Sequence, residues 1–259
     1  MNAPSLVNSL MDRLILPGAL GFTRFGYAWR KRGWGDDDFP MEGRTVVVTG
    51  ATSGLGLSAA HSLARLGARV VLVGRNPGKA EQARQDVVAA SGNEDVAVQL
   101  ADLGLMSELR SLAARLLESE PAIHVLINNA AILPAERELT AEGLEQTFAT
   151  DLLSPYLLTE LLLPRLRESA PARIVNVLSG GMYFSGLEAD DLEYEQGDFD
   201  GALATGDHFA FGVVGVGHGQ IMGAVRGAAG AVRPDASGDI FADGRSIHQV
   251  FLLIYIYIP

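Results

Sequence analysis

The sequence predicts an α/β protein with a doubly wound parallel sheet. Three observations carry that expectation. Short β-branched apolar runs recur along the chain, the first being Thr45-Val46-Val47-Val48. Segments with apolar residues at helical spacing separate these runs, as in Leu55, Ala59, Leu63 and Leu66. The turn after the first run is rich in glycine, with Gly50, Gly54 and Gly56 closely spaced. Strand, glycine-rich turn, helix and strand in that order make a βαβ unit, whose crossover is right-handed and whose strands are parallel.

Each element follows in turn. Residues 1–42 read as a helical extension: Leu6, Leu10 and Leu14 recur at helical spacing, and Asp36-Asp37-Asp38 before Pro40 reads as a solvated linker. The extension packs on the domain or lies at a membrane interface, where Arg24, Arg30, Lys31 and Arg32 would sit beside Tyr27, Trp29 and Trp34. Residues 43–203 are expected to form the α/β domain that carries the sheet. Its strands are expected at 45–49, 69–73, 96–99, 124–128 and 173–178, and its helices are expected to start near 54, 78, 106, 141 and 155. Residues 204–259 are an atypical glycine-rich tail, expected to leave the C-terminal portion of the fold incomplete or irregular. Within it, residues 251–258 form an apolar run that is either a buried strand or, if exposed, a site of aggregation.

Composition bounds the function. The chain has 259 residues, 48% of them hydrophobic, enough for a sizeable core. Its formal charge of −11 argues against nucleic acid as a partner. With no cysteine there is no disulfide framework, thiol catalysis or cysteine-ligated metal, and no metal site is expected. No apolar run is long enough for a transmembrane span, and residues 1–42 lack the order of a secretory signal, so the expected location is cytoplasmic.

The glycine-rich turn carries chemistry. A dinucleotide pyrophosphate is held by backbone N–H groups and the dipole at a helix N-terminus, and side chains in the turn would block its approach. Gly50, Thr52, Ser53, Gly54, Leu55 and Gly56 are therefore the candidate phosphate-contacting residues.

Thr49-Gly50-x-x-x-Gly54-x-Gly56 resembles the fingerprint of the short-chain dehydrogenase/reductase family, and further motifs follow in the family's order. Asp102-Leu103 resembles its adenine-contacting pair. Asn128-Asn129-Ala130-Ala131 resembles its strand-four Asn-Asn-Ala-Gly, with Ala131 in place of glycine. Arg173 to Ser179 resembles the fifth strand ending in the catalytic serine. The resemblance implies a Rossmann-like fold, hydride transfer to or from a small carbonyl or alcohol substrate, and Asp102, Leu103, Asn129, Ala130 and Ala131 as cofactor contacts. It places Ser179 and Asp151 in the catalytic set, Asp151 standing where the family usually has asparagine.

The cofactor is narrowed by the end of the second strand. NAD-binding chains tend to place a carboxylate there for the ribose 2′-OH. This chain has Gly74-Arg75, and an arginine fork pairs with a 2′-phosphate, so the reading is NADP, with NAD as the alternative.

The family's Tyr-x-x-x-Lys pair is absent. In the resembling subgroup that pair follows a segment like Phe199-Asp200-Gly201-Ala202; here Thr205 follows Ala204, and Phe209 stands four residues on. The chain's two lysines, Lys31 and Lys79, both precede the fourth strand. Tyr183 and Tyr194 read as loop or packing residues. Residues 1–203 contain 33 leucines and 204–251 none, while glycine becomes frequent. A flexible extension or a shifted reading frame accounts for this change. The alternative function is thus a catalytically inactive nucleotide-binding remnant, in which the family's homo-oligomer contact is doubtful as well.

Overall fold

A computed structural model describes residues 40–178, 191–196, 198–215 and 247–253. Six parallel strands form one sheet in the order β3-β2-β1-β4-β5-β6. They are β1 (Thr45–Thr49), β2 (Arg69–Gly74), β3 (Val96–Leu100), β4 (Val125–Asn128), β5 (Ala172–Leu178) and β6 (Ile247–Leu253). The order reverses direction between β1 and β4, which makes a crevice at the strands' C-terminal ends, where doubly wound sheets bind ligands.

Burial on both faces explains the unbroken valine runs. Val46, Val48, Val70 and Leu72 pack on one face against α1 (Gly54–Arg65) and α2 (Pro77–Ser91). Val47, Val71 and Leu126 pack on the other against α3 (Met106–Ser119) and α4 (Ser154–Glu168). Each such side chain contributes about 1.5–3 kcal/mol when fully buried. Arg69 and Glu120 tie β2 to the end of α3 through two bonds, Nε to Oε2 at 2.7 Å and Nη2 to Oε1 at 2.9 Å, with Glu120 almost wholly buried.

Helix ends follow local chemistry. The Asn76 side chain accepts from Lys79 N–H at 2.9 Å, Pro77 opens α2, and Gly92 closes it in the left-handed conformation. The helix expected near 141 is not there. Instead a turn at 141–144 presents Glu142 to the start of α3, where its carboxylate accepts from Met106 and Ser107 N–H at 2.7 and 3.0 Å. Helical winding starts just after Glu145, which accepts from Thr147 N–H at 2.9 Å and Phe148 N–H at 2.6 Å. It then widens into a π-helical turn, Phe148–Leu153, before α4.

Among the described residues, two regular elements reach into the expected tail. A helix, α5 (Gly201–Gly215), runs across the expected domain boundary, and β6 pairs in parallel with the whole of β5, from Ala172 opposite Ile247 to Leu178 opposite Leu253. Pairing with the open N–H and C=O groups along β5 imposes strand geometry on this segment. The expected extension at 1–39, residues 216–246 and the last residues of the apolar tail lie outside the described residues. Among the described residues no helix is long and apolar enough to cross a membrane.

Candidate functional site

The β1–α1 turn and the loop after β4 meet through Thr49. Its hydroxyl accepts from Asn129 N–H at 2.9 Å and Ala130 N–H at 3.1 Å, and lies 3.3 Å from the Ile127 carbonyl oxygen, to which it donates. Asn129 returns the link, its Nδ2 donating to Thr49 O at 3.0 Å and Gly50 O at 3.3 Å. The motif reading passed over the Thr49 hydroxyl; a hydroxyl residue between a buried strand and a glycine turn is the only sequence signal for it. Asn128 was likewise not singled out. It is buried and donates to Asn176 Oδ1 on β5 at 2.9 Å and to Thr159 Oγ1 on α4 at 3.3 Å.

Close approach explains two glycines. A Cβ on Gly50 would lie 2.8 Å from Ala130 Cα, and one on Gly56 would lie 2.5 Å from both Asn129 Nδ2 and Gly50 O. Gly54 has open space around it and a φ of +54°, a left-handed conformation that side chains disfavour. Ser53, at the N-cap of α1, makes no side-chain capping bond, and no acidic residue occupies the helix's first turn. Ser53, Gly54 and Leu55 are exposed, and Thr52 is half-buried. The turn therefore presents backbone N–H groups and an uncommitted hydroxyl at a helix N-terminus, the arrangement that receives a phosphate.

Beside it lies a cleft of about 440 Å³ lined by Arg75, Asn76, Pro77, Ala101, Asp102 and Glu108. Asp102 is held in place: its N–H donates to Glu108 Oε2 at 2.6 Å and its Oδ1 accepts from Gly104 N–H at 2.9 Å. Arg75 is exposed. Gly74 packs against Thr52, whose Cγ2 would lie 2.5 Å from a Cβ at that position, so a carboxylate side chain there requires Thr52 to turn aside. Leu103 is buried. Its side chain lies in the core with Leu109 and Leu126.

Asp151 sits in the π-helical turn and is 4% exposed. Its Oδ1 accepts from Ile132 N–H at 2.9 Å, just beyond Ala131, while Oδ2 has no geometric partner. Burial pushes this carboxyl well above the usual carboxylate range. The Ile132 N–H works against that rise, and the nearby Glu145 adds to it. The structure therefore ties Asp151 to the loop after β4. Ser179 and Tyr183 lie outside the described residues. Tyr194 donates to the buried Asp207 and packs edge-on against His208 and Phe199.

Comparison with known proteins places this geometry. The family model described as short chain dehydrogenase matches residues 44–186. The chain is 36% identical over 188 residues to dehydrogenase/reductase SDR family member 12 of Bos taurus, covering 72% of this chain and 59% of that protein. It is 40% identical over 156 residues to retinol dehydrogenase 12 of the same species, covering 60% of this chain and 49% of that one. An uncharacterised protein from Mycobacterium paratuberculosis, solved by crystallography, superposes with a TM-score of 0.61 at 31% identity, covering 75% of this chain and 68% of that chain. The chain thus spans half to three fifths of the length of these two curated relatives. With a six-stranded parallel sheet, a glycine-rich first turn bonded to the Asn129 loop, and these matches, the chain belongs to the short-chain dehydrogenase/reductase family.

Proposed function

We propose that the chain is an NADP-dependent oxidoreductase that moves hydride between the cofactor and a small carbonyl or alcohol substrate. The observation that carries the cofactor reading is Gly74 at the end of β2, followed by an exposed Arg75 that lines the cleft. Gly74 has room for no carboxylate unless Thr52 moves, and Arg75 offers a planar, permanently charged fork to a 2′-phosphate. The residues fit the group elsewhere as well. The Gly50–Gly56 turn and Ser53 would receive the pyrophosphate, Asp102 the adenosine end, and the Asn129–Ala131 loop the nicotinamide side.

When bound, the nicotinamide supplies or accepts the hydride. The chain's own residues bind and orient it: Thr49 and Asn129 fix the two loops, and Arg75 selects the phosphate. On the family pattern, Ser179 orients the substrate oxygen. Binding titrations with NADPH and NADH test the reading. Arg75→Ala should weaken NADPH by about tenfold or more, since a charge-assisted contact contributes roughly 1.5–3 kcal/mol, and leave NADH nearly unchanged. Equal loss for both cofactors would overturn the phosphate assignment. The alternative, nucleotide binding without turnover, rests on the absence of lysine after Lys79. NADPH binding without oxidation of the cofactor across a carbonyl panel would favour it.

A further inference from the structure

The Ile132 peptide, just beyond the Asn129–Ala131 loop, is gripped on both sides. Its N–H donates to Asp151 Oδ1 at 2.9 Å, and its carbonyl accepts from Thr205 Oγ1 of α5 at 3.2 Å. Thr205 also stands against the Asp151 carboxyl. If Thr205 donated to that carboxyl, it would favour the anion. Its single hydroxyl hydrogen is given to the Ile132 carbonyl, which leaves none for the carboxyl. The remaining oxygen of Asp151 is buried with no hydrogen-bond partner, so a negative charge there would go unsatisfied.

The surroundings agree. Glu145 is fully buried and faces Asp151 from the start of the helical winding, with Glu193 accepting from the Glu145 N–H. From α5 come Asp207, 4% exposed and bonded to Tyr194, and His208, fully buried with Nε2 2.8 Å from Leu192 O. Among the described residues no lysine or arginine is bonded to any of these carboxyls, and no three acidic or histidine side chains are placed to hold a metal ion. A second anion beside Glu145 in this dry environment is costly.

We propose that Asp151 acts as a neutral carboxylic acid that, with Thr205 of α5, holds the loop after β4 from both sides, so that the placement of this loop is proton-linked and loosens as pH rises. Asp151 is on this view a positioning residue. Its consequence for cofactor binding rests on the reading of Asn129–Ala131 as cofactor contacts; the latch itself does not. An asparagine would supply the same acceptor and donor without titrating. His208 works in the opposite direction: burial lowers its pKa, so it charges only in acid and weakens the α5 contact there.

Amide hydrogen exchange of residues 130–134 in the cofactor-free full chain, corrected for intrinsic base catalysis, tests the latch. An opening coupled to one proton rises about tenfold per pH unit between the ordinary carboxylate pKa and the raised one, then levels off. Asp151→Asn should stay latched and lose that slope. It keeps His208, so the difference from the parent chain isolates Asp151. Thr205→Val should open the strip at every pH while keeping the slope. Carbon-13 titration of the Asp151 carboxyl in the unaltered chain gives a second readout that needs no variant. An ordinary aspartate titration, or the same slope in Asp151→Asn, would overturn the proposal. NADPH titration of the same samples is independent: failure to bind NADPH would refute the cofactor reading and leave the exchange result standing.

Discussion

Gly56→Ala tests whether the β1–α1 turn is built by close approach. Gly56 lies inside α1, where replacing glycine with alanine ordinarily stabilises a helix by about 1 kcal/mol. Here the new methyl would stand 2.5 Å from Asn129 Nδ2 and from Gly50 O, and 3.0 Å from Gly50 C. Backbone cannot swing aside as a side chain can. The turn must shift, at about 1–3 kcal/mol for overpacking. Asn129 would lose its bonds to Thr49 O and Gly50 O, at about 1 kcal/mol each. Less the helix gain, the net loss is about 2–4 kcal/mol. At roughly 2–4 °C per kcal/mol for a domain of this size, Tm falls by about 5–15 °C. Gly78→Ala is the matched control. It too lies in a helix, α2, but its Cβ would meet only Asn76 Oδ1 at 3.5 Å, so the substitution should be neutral or stabilising by up to about 1 kcal/mol. Paired thermal melts, with NADPH titration of each variant, decide the matter. If Gly56→Ala melted with Gly78→Ala and bound NADPH like the parent, the close-approach argument would fail.

Three further outcomes follow from the structure. Glu120→Ala leaves Arg69, a third exposed, with only Asp95; chemical denaturation should show a loss of about 1–3 kcal/mol, below the full cost of breaking a buried pair because solvent screens the arginine. His124 Nδ1 accepts from Thr45 N–H at 3.0 Å, and burial, aided by Arg44, lowers its pKa. Its contribution is therefore present above the unfolded histidine value of 6.5 and is lost as pH falls through the lowered one. A stability profile that changes in this window in the parent chain but not in His124→Gln is the expected result. Glu142→Gln should cost α3 about 0.5–1 kcal/mol, the Glu142 carboxyl being lowered chiefly by Ser107. Its contribution is present above the ordinary carboxylate pKa and fades as pH falls through the lowered value, measurable as a shift in urea midpoint that vanishes in acid.

Strands β1 and β2 were legible because each is a run buried on both faces, where hydrophobicity alone marks the element, and β3, β4 and β5 were legible as short apolar runs although they are only partly buried. Helices α1, α2 and α3 were legible from glycine, proline and periodicity. The helix near 141 was misplaced for a tertiary reason. Glu142 is spent on the start of α3, and Glu145 caps the winding that follows, so two acidic residues that suit a helix N-terminus serve two different helices. Strand β6 was legible only in part, as the apolar run from 251, for a related reason: what orders it is the edge of β5, about seventy residues earlier in the chain. Composition reports local preference, and an edge strand is set by its partner.

The site divides along the same line. Gly50, Gly54, Gly56 and Asn129 carry their roles in spacing, since the turn needs those conformations wherever it occurs. Thr49 and Asp151 do not. A threonine ending a strand and an aspartate in place of asparagine gain their roles only from what stands opposite, namely two backbone N–H groups for one and the Ile132 peptide for the other. Position 209 shows the same dependence from the other side. Its phenylalanine is 5% exposed on α5, a place where an unpaired lysine would pay a heavy desolvation cost. A cation at that position would be tolerated only with a carboxylate or a bound cofactor beside it. Phe209→Lys should therefore lower the stability of the cofactor-free chain, and saturating NADPH should restore part of the loss if α5 faces the nicotinamide side. A loss that NADPH leaves unchanged, measured by melts with and without cofactor, would show that α5 does not approach it.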